Sequence, residues 1–264
     1  MGHVLRMRSP TAFSKWHALG NAYLVIERAD PMRPLASEDV VRFCDPHYGA
    51  GADGVVEVVS TTAESAQVLI WNPDGSSAEL SGNGTRIAAR WLAEREGVRE
   101  VRIAVGPRVT IVRMGDGDTV EQELGPVRVD PPELLDVDGD EVELTPVSVG
   151  NPHAVIRREP ERRELLRLGP LVERHARFPG RTNVQLVRLD GPHELRVGVW
   201  ERGARETLSS GTSAVAAAAA AVANGWCTSP VAVELAGGIL HVALAGERAT
   251  LTGPAEEILR GFLL

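Results

Sequence analysis

The chain has 264 residues, enough for one large domain or two modest ones, each with its own core. Hydrophobic residues make up 43% and charged residues 24%, the composition of an ordinary soluble globular protein. With 28 basic against 36 acidic residues the net charge is −8, which argues against a nucleic-acid partner while leaving room for a local basic pocket. Lys15 is the only lysine, so a Schiff base or a lysine-held cofactor has a single candidate. Arginine, which carries the rest of the positive charge, is the better fork for a carboxylate. The first twenty residues hold no continuous apolar run, which predicts no secretion signal. The longest apolar stretch, Ala214 to Ala223, is half of what a membrane span needs, so no membrane is expected. Cys44 and Cys227 cannot form a disulfide framework, in keeping with the cytoplasm.

Taken in order, Phe13 to Trp16 precedes a turn at Ala18-Leu19-Gly20-Asn21, and Ala22 to Glu27 reads as a strand. A short helix, Glu38 to Cys44, leads into the glycine-punctuated turn Tyr48 to Gly54 and a strand, Val55 to Val59. Gln67 to Trp71 is a further strand ending at the turn Asn72-Pro73-Asp74-Gly75. After Ser81-Gly82-Asn83-Gly84 comes a helical run, Thr85 to Glu96, stopped at Gly97. Strand-like alternation covers Glu100 to Val112 and Thr119 to Val129.

Asp130 to Asp140, with its prolines and Asp-Gly, is the best linker candidate. The chain beyond it resembles a second copy of the first half. Strands at Val147–Val149 and Ala154–Ile156 flank Gly150-Asn151-Pro152-His153. A helix at Glu161–Arg167 and strands at Asn183–Arg188 and Glu194–Glu201 come next. Ser209-Ser210-Gly211-Thr212 opens an alanine-rich helix, slim enough to be packed on all sides, that ends at Asn224-Gly225. Two more strands surround Gly237-Gly238, and a short amphipathic tail closes the chain.

Two helix starts, Leu80-Ser81-Gly82 and Ser209-Ser210-Gly211, lie 129 residues apart, about half the chain. They suggest a duplicated unit facing itself across a cleft. Glycine-rich turns that feed helix N-termini expose N–H groups and the positive end of the dipole, so two of them can clamp one carboxylate. Equally, Ser81 and Ser210 fit as simple N-caps, the residue type helix starts prefer.

Ten blocks in order carry a resemblance to a known family. Phe13 to Asn21, Cys44 to Gly54, Asn72 to Ser76, Ser81-Gly82-Asn83-Gly84-Thr85-Arg86, Gly150 to Val155 and Phe178 to Val184 are six of them. Glu201-Arg202-Gly203, Glu206-Thr207-Leu208, Gly211-Thr212 and Gly237-Gly238 complete the set. Together they resemble diaminopimelate epimerase from about Phe13 to Gly238. The resemblance implies an α/β fold of two pseudo-symmetric domains, each a curled sheet around a central helix, with the active site between them. It implies domains of residues 1–128 and 129–254, the tail 255–264 returning to the first. It implies a cofactor-independent isomerase, with no pyridoxal group or metal, that interconverts LL- and meso-diaminopimelate for lysine and cell-wall precursor synthesis; it admits a homodimer.

In that family two cysteines face each other across the substrate α-carbon, one thiolate removing the α-proton and the other thiol returning one. Those positions fall on Ser81 and Ser210. The backbone of Gly82-Asn83 and Gly211-Thr212 then holds the α-carboxylate and stabilises carbanion charge. Asn21, Asn72, Asn151, Asn183, Glu201 and Arg202 match positions that grip the amino groups and the distal carboxylate, for which an arginine fork makes independent sense. His153 matches a position near the site, and a core histidine bonded to backbone fits it as well. Cys44 and Cys227 match no catalytic position and read as buried small hydrophobes. Cys44 with His47 forms Cys-x-x-His, but the chain has no second pair to complete a zinc site.

Serine at both cysteine positions is a severe change. A thiol titrates near ~8.5 and is drawn down at a helix N-terminus, whereas an aliphatic hydroxyl lies near water, at ~15.7. The gap of roughly seven units is about 10 kcal/mol in making the base, and helix dipoles supply only a few kcal/mol of it. Three readings are open: an epimerase in which a nearby base, Glu79, Glu206 or Glu201, assists serine or acts directly, as in the phenazine-biosynthesis isomerases of similar fold; a divergent relative that binds a diamino acid or isomerises something else; or a chain whose cysteines were exchanged for serine to trap ligand. Ala22 where an Asp is usual, and Arg205 and Ser213 where Gly is usual, favour natural divergence over exchange. Arg205 is expected to reshape the distal pocket.

Overall fold

The computed structural model describes residues 10–28, 30, 33–78 and 81–263. Its two halves repeat one order of elements. In the first half β1 (Thr11–Ala18) and β2 (Asn21–Glu27) form a hairpin, and α1 (Ser37–Cys44) crosses to β3 (Val55–Thr62), parallel to β2. β4 (Ser65–Trp71) turns back antiparallel and pairs with the two-residue β5 (Ser77–Ala78); α2 (Gly82–Glu96) then crosses to β6 (Glu100–Val105), parallel to β4. β7 (Arg108–Met114) and β8 (Thr119–Pro126) continue as a meander. After β9 (Arg128–Val129) and β10 (Glu133–Val137), the pattern returns.

The second half runs β11 (Asp140–Ser148), β12 (Pro152–Arg157), α3 (Arg162–Glu173), β13 (Asn183–Gly191), β14 (Glu194–Glu201), β15 (Arg205–Glu206), α4 (Gly211–Ala223), β16 (Val231–Leu235), β17 (Gly238–Ala245) and β18 (Arg248–Pro254). Its parallel pairs, β12 with β13 and β14 with β16, match those of the first half. β19 (Glu256–Leu263) returns to pair with β1, as β9 pairs with β11. β8 pairs with β18, so the strands of both halves join into one continuous sheet.

Each half curls its strands around one helix, because each central helix buries far more than one stripe. α2 buries Ile87, Ala88, Ala89 and Leu92 completely against Trp16, Val68, Ile103 and Val112. Each large apolar side chain so buried contributes about 1.5–3 kcal/mol. α4 is buried at every residue from Gly211 to Ala221, which only alanine-sized side chains allow while strands pack on all sides. Ser81 and Gly97, at φ +70°, bound α2 as N-cap and left-handed C-cap. No helix among the described residues is long and apolar enough to cross a membrane.

Several sequence expectations need correction. The linker candidate Asp130–Asp140 holds β10, which pairs along its length with β11, because Leu135 and Val137 cover the core beneath α3. The closing tail, read only as amphipathic, is the strand β19, and it returns to the first half by pairing with β1. The run Glu100–Val112 is two strands, turned at Gly106-Pro107. α2 begins three residues before Thr85, since Ser81 caps it directly and the glycines form its first turn. α3 extends to Glu173, through Pro170.

Candidate active site

The two serines occupy equivalent places. Ser81 precedes α2 with φ −138°, ψ 116°, and its Oγ accepts the Gly84 N–H at 3.0 Å. Ser210 precedes α4 with φ −146°, ψ 118°, and its Oγ accepts the Ser213 N–H at 3.4 Å. The helix starts meet end to end: a Cβ added at Gly82 would lie 3.5 Å from Gly211 Cα, and one added at Gly211 would lie 3.5 Å from Gly82 Cα. At Gly211 a Cβ would also lie 2.9 Å from Leu251 Cδ2 and 3.3 Å from Arg86 Nη1, so the start of α4 has no room for a side chain without movement of its neighbours. Two positive dipole ends with free first-turn N–H groups therefore converge on one place, an environment that favours an anion.

A polar contact from Asn83 to Ser209 crosses the seam between the halves, and two more brace its α2 side. Asn83 Nδ2 donates to Ser209 O at 3.1 Å and to Asn21 Oδ1 at 2.9 Å, and Gln122 Nε2 donates to Gly82 O at 3.1 Å. Behind them Arg86, fully buried, donates to Asn83 Oδ1 at 2.8 Å. Burial lowers the Arg86 pKa to about 10, which leaves it a cation at neutral pH. The resulting positive field, beside two helix N-termini, stabilises negative charge developing between them.

The serine hydroxyls differ in their partners. Ser210 Oγ donates to Glu201 Oε1 at 2.7 Å. Enclosure raises the Glu201 pKa above the usual carboxylate range, and the Ser210 hydrogen bond works against that shift. Ser81 Oγ lies 3.0 Å from Tyr23 Oη. Burial is the main cause that pushes the Tyr23 phenol up to about 12.

The remaining expected residues are held by local contacts. Asn21 reaches Asn83, and Asn72 Nδ2 holds Ser76 Oγ across its own turn at 2.9 Å. Asn151 Oδ1 bonds His153 Nε2 at 3.0 Å, and a cleft of 250 Å³ opens beside both, lined also by Arg128, Arg177 and Phe178. His153 is buried and its pKa falls to about 3, chiefly through burial, so it is a neutral ring. Asn183 Nδ2 donates to Pro152 O, and its Oδ1 accepts the Arg202 N–H, tying β13 to the turn after Glu201. The Arg202 side chain donates to Gly180 O and is otherwise exposed. Thr212 is buried in the first turn of α4. Glu206 forks onto Arg162 at 3.0 Å, so its charge is engaged away from Ser210. Glu79 lies outside the described residues.

The three departures acquire physical reasons. Arg205 adopts φ +67°, the left-handed region in which glycine is at ease, while its side chain is exposed beside Glu201. Ser213 Oγ accepts from Gln185 Nε2 at 3.0 Å in a buried spot. The Ala22 N–H donates to Asp53 Oδ2, so a carboxylate from the Cys44–Gly54 block sits beside the position where the aspartate is missing.

Tyr23, Gln122 and Arg86 as site-shaping groups were not among the expected residues. Of these Tyr23 carries a signal in the sequence, standing two residues after Asn21 as His153 stands two after Asn151.

The architecture defines the class first. It superposes on a hydroxyproline epimerase from Agrobacterium vitis with a TM-score of 0.73 at 17% identity, over 98% of this chain and 94% of that one. It superposes on a phenazine biosynthesis protein of the PhzF family from Bacillus anthracis with a TM-score of 0.72 at 14% identity, over 97% and 100%. The fold is the one these proteins share, two halves that each curl a sheet around a central helix. Sequence narrows this. The diaminopimelate epimerase family model matches residues 13–129 and 145–258. Diaminopimelate epimerase of Azotobacter vinelandii is 38% identical over 94% of this chain and 97% of its own, and that of Pelotomaculum thermopropionicum is 36% identical with the same coverages. The chain belongs to the diaminopimelate epimerase family, a family of isomerases.

Proposed function

We propose that the chain epimerises LL-diaminopimelate to the meso form by proton exchange at the α-carbon, held between Ser81 and Ser210, without a bound cofactor. The observation that carries this reading is the hydrogen bond from Ser210 Oγ to Glu201 Oε1 at the meeting point of two helix N-termini. It answers the chief chemical objection to serine. As Ser210 Oγ takes the α-proton, its own proton passes to the Glu201 carboxylate, so no free alkoxide forms and the net base is a carboxylate whose pKa burial raises. Gly82, Asn83, Gly211 and Thr212 hold the α-carboxylate through backbone N–H groups, and Arg86 adds fixed positive charge behind them. Asn21, Asn72, Asn151, Asn183 and Arg202 grip the amino groups and the distal carboxylate, and neutral His153 orients Asn151. Glu206, engaged by Arg162, acts from outside the reaction. The reading carries a cytoplasmic setting and a homodimer, the latter checked by light scattering. Incubation of the protein with LL-diaminopimelate in heavy water tests the function: meso product with deuterium at the inverted α-carbon supports it, and the absence of both inversion and deuterium uptake at high enzyme concentration overturns it.

A further inference from the structure

The strand registers make the two halves comparable position by position. Leu24 pairs with Val55 and Val55 with Trp71; Ala154 pairs with Val184 and Val184 with Trp200. Tyr23 is thereby equivalent to His153, Asn72 to Glu201, and Ser81 to Ser210. At Ser210 the partner is the carboxylate of Glu201, at the end of β14. The equivalent position beside Ser81 holds an amide, Asn72, which is committed to Ser76. The group that touches Ser81 comes instead from β2: the Tyr23 hydroxyl, at 3.0 Å. Its ring is seated against Gly54, where any Cβ would lie 2.6 Å from Tyr23 Cε1. The duplicated frame thus presents a carboxylate at one serine and a phenol at the other.

The geometry points to Tyr23 as the proton relay of the Ser81 face, acting through the Ser81 hydroxyl while Glu201 acts through Ser210. This rests on the epimerase reading above and adds a division of labour within it. After Ser210 and Glu201 have taken the α-proton, the carbanion lone pair takes the Ser81 hydroxyl proton and a new C–H bond forms on the opposite face. The Ser81 oxygen takes the phenol proton in the same motion, leaving a tyrosinate. Glu201, now a carboxylic acid, returns its proton to solvent, solvent reprotonates Tyr23, and the cycle closes with no net change in the protein. Negative charge rests on a phenolate instead of an aliphatic alkoxide, a difference of nearly four powers of ten between a group near 12 and one near ~15.7.

Tyr23→Phe keeps the ring and removes only the hydroxyl. With LL- and meso-diaminopimelate in heavy water, we expect inversion to fall by about a hundredfold or more. Deuterium exchange without inversion is expected to persist within about tenfold of wild type for one of the two stereoisomers, because the Ser210–Glu201 face still removes and returns a proton. Ser81→Ala, which leaves Tyr23 in place, is expected to show the same split. Inversion within threefold of wild type in Tyr23→Phe overturns the relay. So does an equal loss of exchange and inversion with both stereoisomers in the two variants, the pattern of a merely structural role. Wild-type protein that exchanges neither stereoisomer overturns the underlying epimerase reading, and the relay with it.

Discussion

Glu201→Gln separates a working base from a structural hydrogen bond. The amide keeps the shape and an acceptor for the Ser210 hydroxyl, which now stands 2.7 Å from Oε1, but it removes the charge that draws the proton away. A positioned general base contributes about 10²–10⁴ in rate. The expected fall in kcat is of that size, about 3–5 kcal/mol of barrier at ~1.36 kcal/mol per tenfold. Weakening one hydrogen bond from charged to neutral accounts for only about 1 kcal/mol, or less than about tenfold. Stability moves the other way. The folded Glu201 pKa is raised by burial, so its stabilising contribution is complete below the unfolded pKa and is lost as pH rises through the folded one. At neutral pH the buried carboxylate therefore opposes folding, and the Gln variant melts higher than wild type at pH 7, with the advantage fading in acid. The same raised pKa places the acid limb of kcat/KM above the ordinary carboxylate range, and that limb disappears in the variant. Kinetics with LL-diaminopimelate and thermal melts at the two pH values supply the readouts. A variant within tenfold of wild-type kcat, or one that melts lower at pH 7, refutes the reasoning.

The same structure fixes four further outcomes. Ser81→Cys with Ser210→Cys places ionisable thiols at both helix starts and raises kcat on diaminopimelate by about tenfold or more; a loss of activity would show that the pocket has adapted to serine. Gly211→Ala sets a methyl 2.9 Å from Leu251 Cδ2 and 3.3 Å from Arg86 Nη1, so denaturant melts lose about 1–3 kcal/mol and activity falls as Arg86 is displaced. Arg205→Gly relieves a left-handed side-chain residue and changes stability by less than about 1 kcal/mol in the favourable direction; a larger loss in urea melts would assign Arg205 a packing role. His153, with a pKa lowered to about 3, stabilises the fold above its unfolded pKa and loses that contribution as pH falls, at about 1.4 kcal/mol per pH unit. Wild type and His153→Asn should therefore converge in stability between about pH 6.5 and pH 4.

The parts of the fold written in local chemistry were legible. Ser81 and Ser210 before glycine-rich starts, Gly97 after α2, and the alanine run of α4 each have a local cause, and each element lies where those residues put it. The misread segments lack one. β10 reads as a linker because Pro131, Pro132 and Asp138-Gly139 on either side of it are turn chemistry, while its reason to be a strand is the core beneath α3. β19 pairs with the opposite end of the chain, so its return to the first half follows from the family resemblance and not from anything beside it in sequence. The site divides in the same way. Glu206 sits four residues before Ser210 in sequence, yet it faces Arg162, whereas Glu201, five residues farther back, reaches the Ser210 hydroxyl because β14 and β15 fold back on each other. Tyr23 meets Ser81 across 58 residues; its spacing from Asn21 hints at the position, and the registers of β2 on β3 and β3 on β4 bring it there.

The central claim is that the reacting carbon lies between the two serines, and a crystal structure of the protein with LL-diaminopimelate bound tests it most directly. The expected complex has the α-carbon between Ser81 Oγ and Ser210 Oγ, with its carboxylate on the N–H groups that open α2 and α4 and the Glu201–Ser210 and Tyr23–Ser81 hydrogen bonds intact. Ligand bound with its α-carbon away from both hydroxyls, or with either hydroxyl turned from its partner, would contradict it.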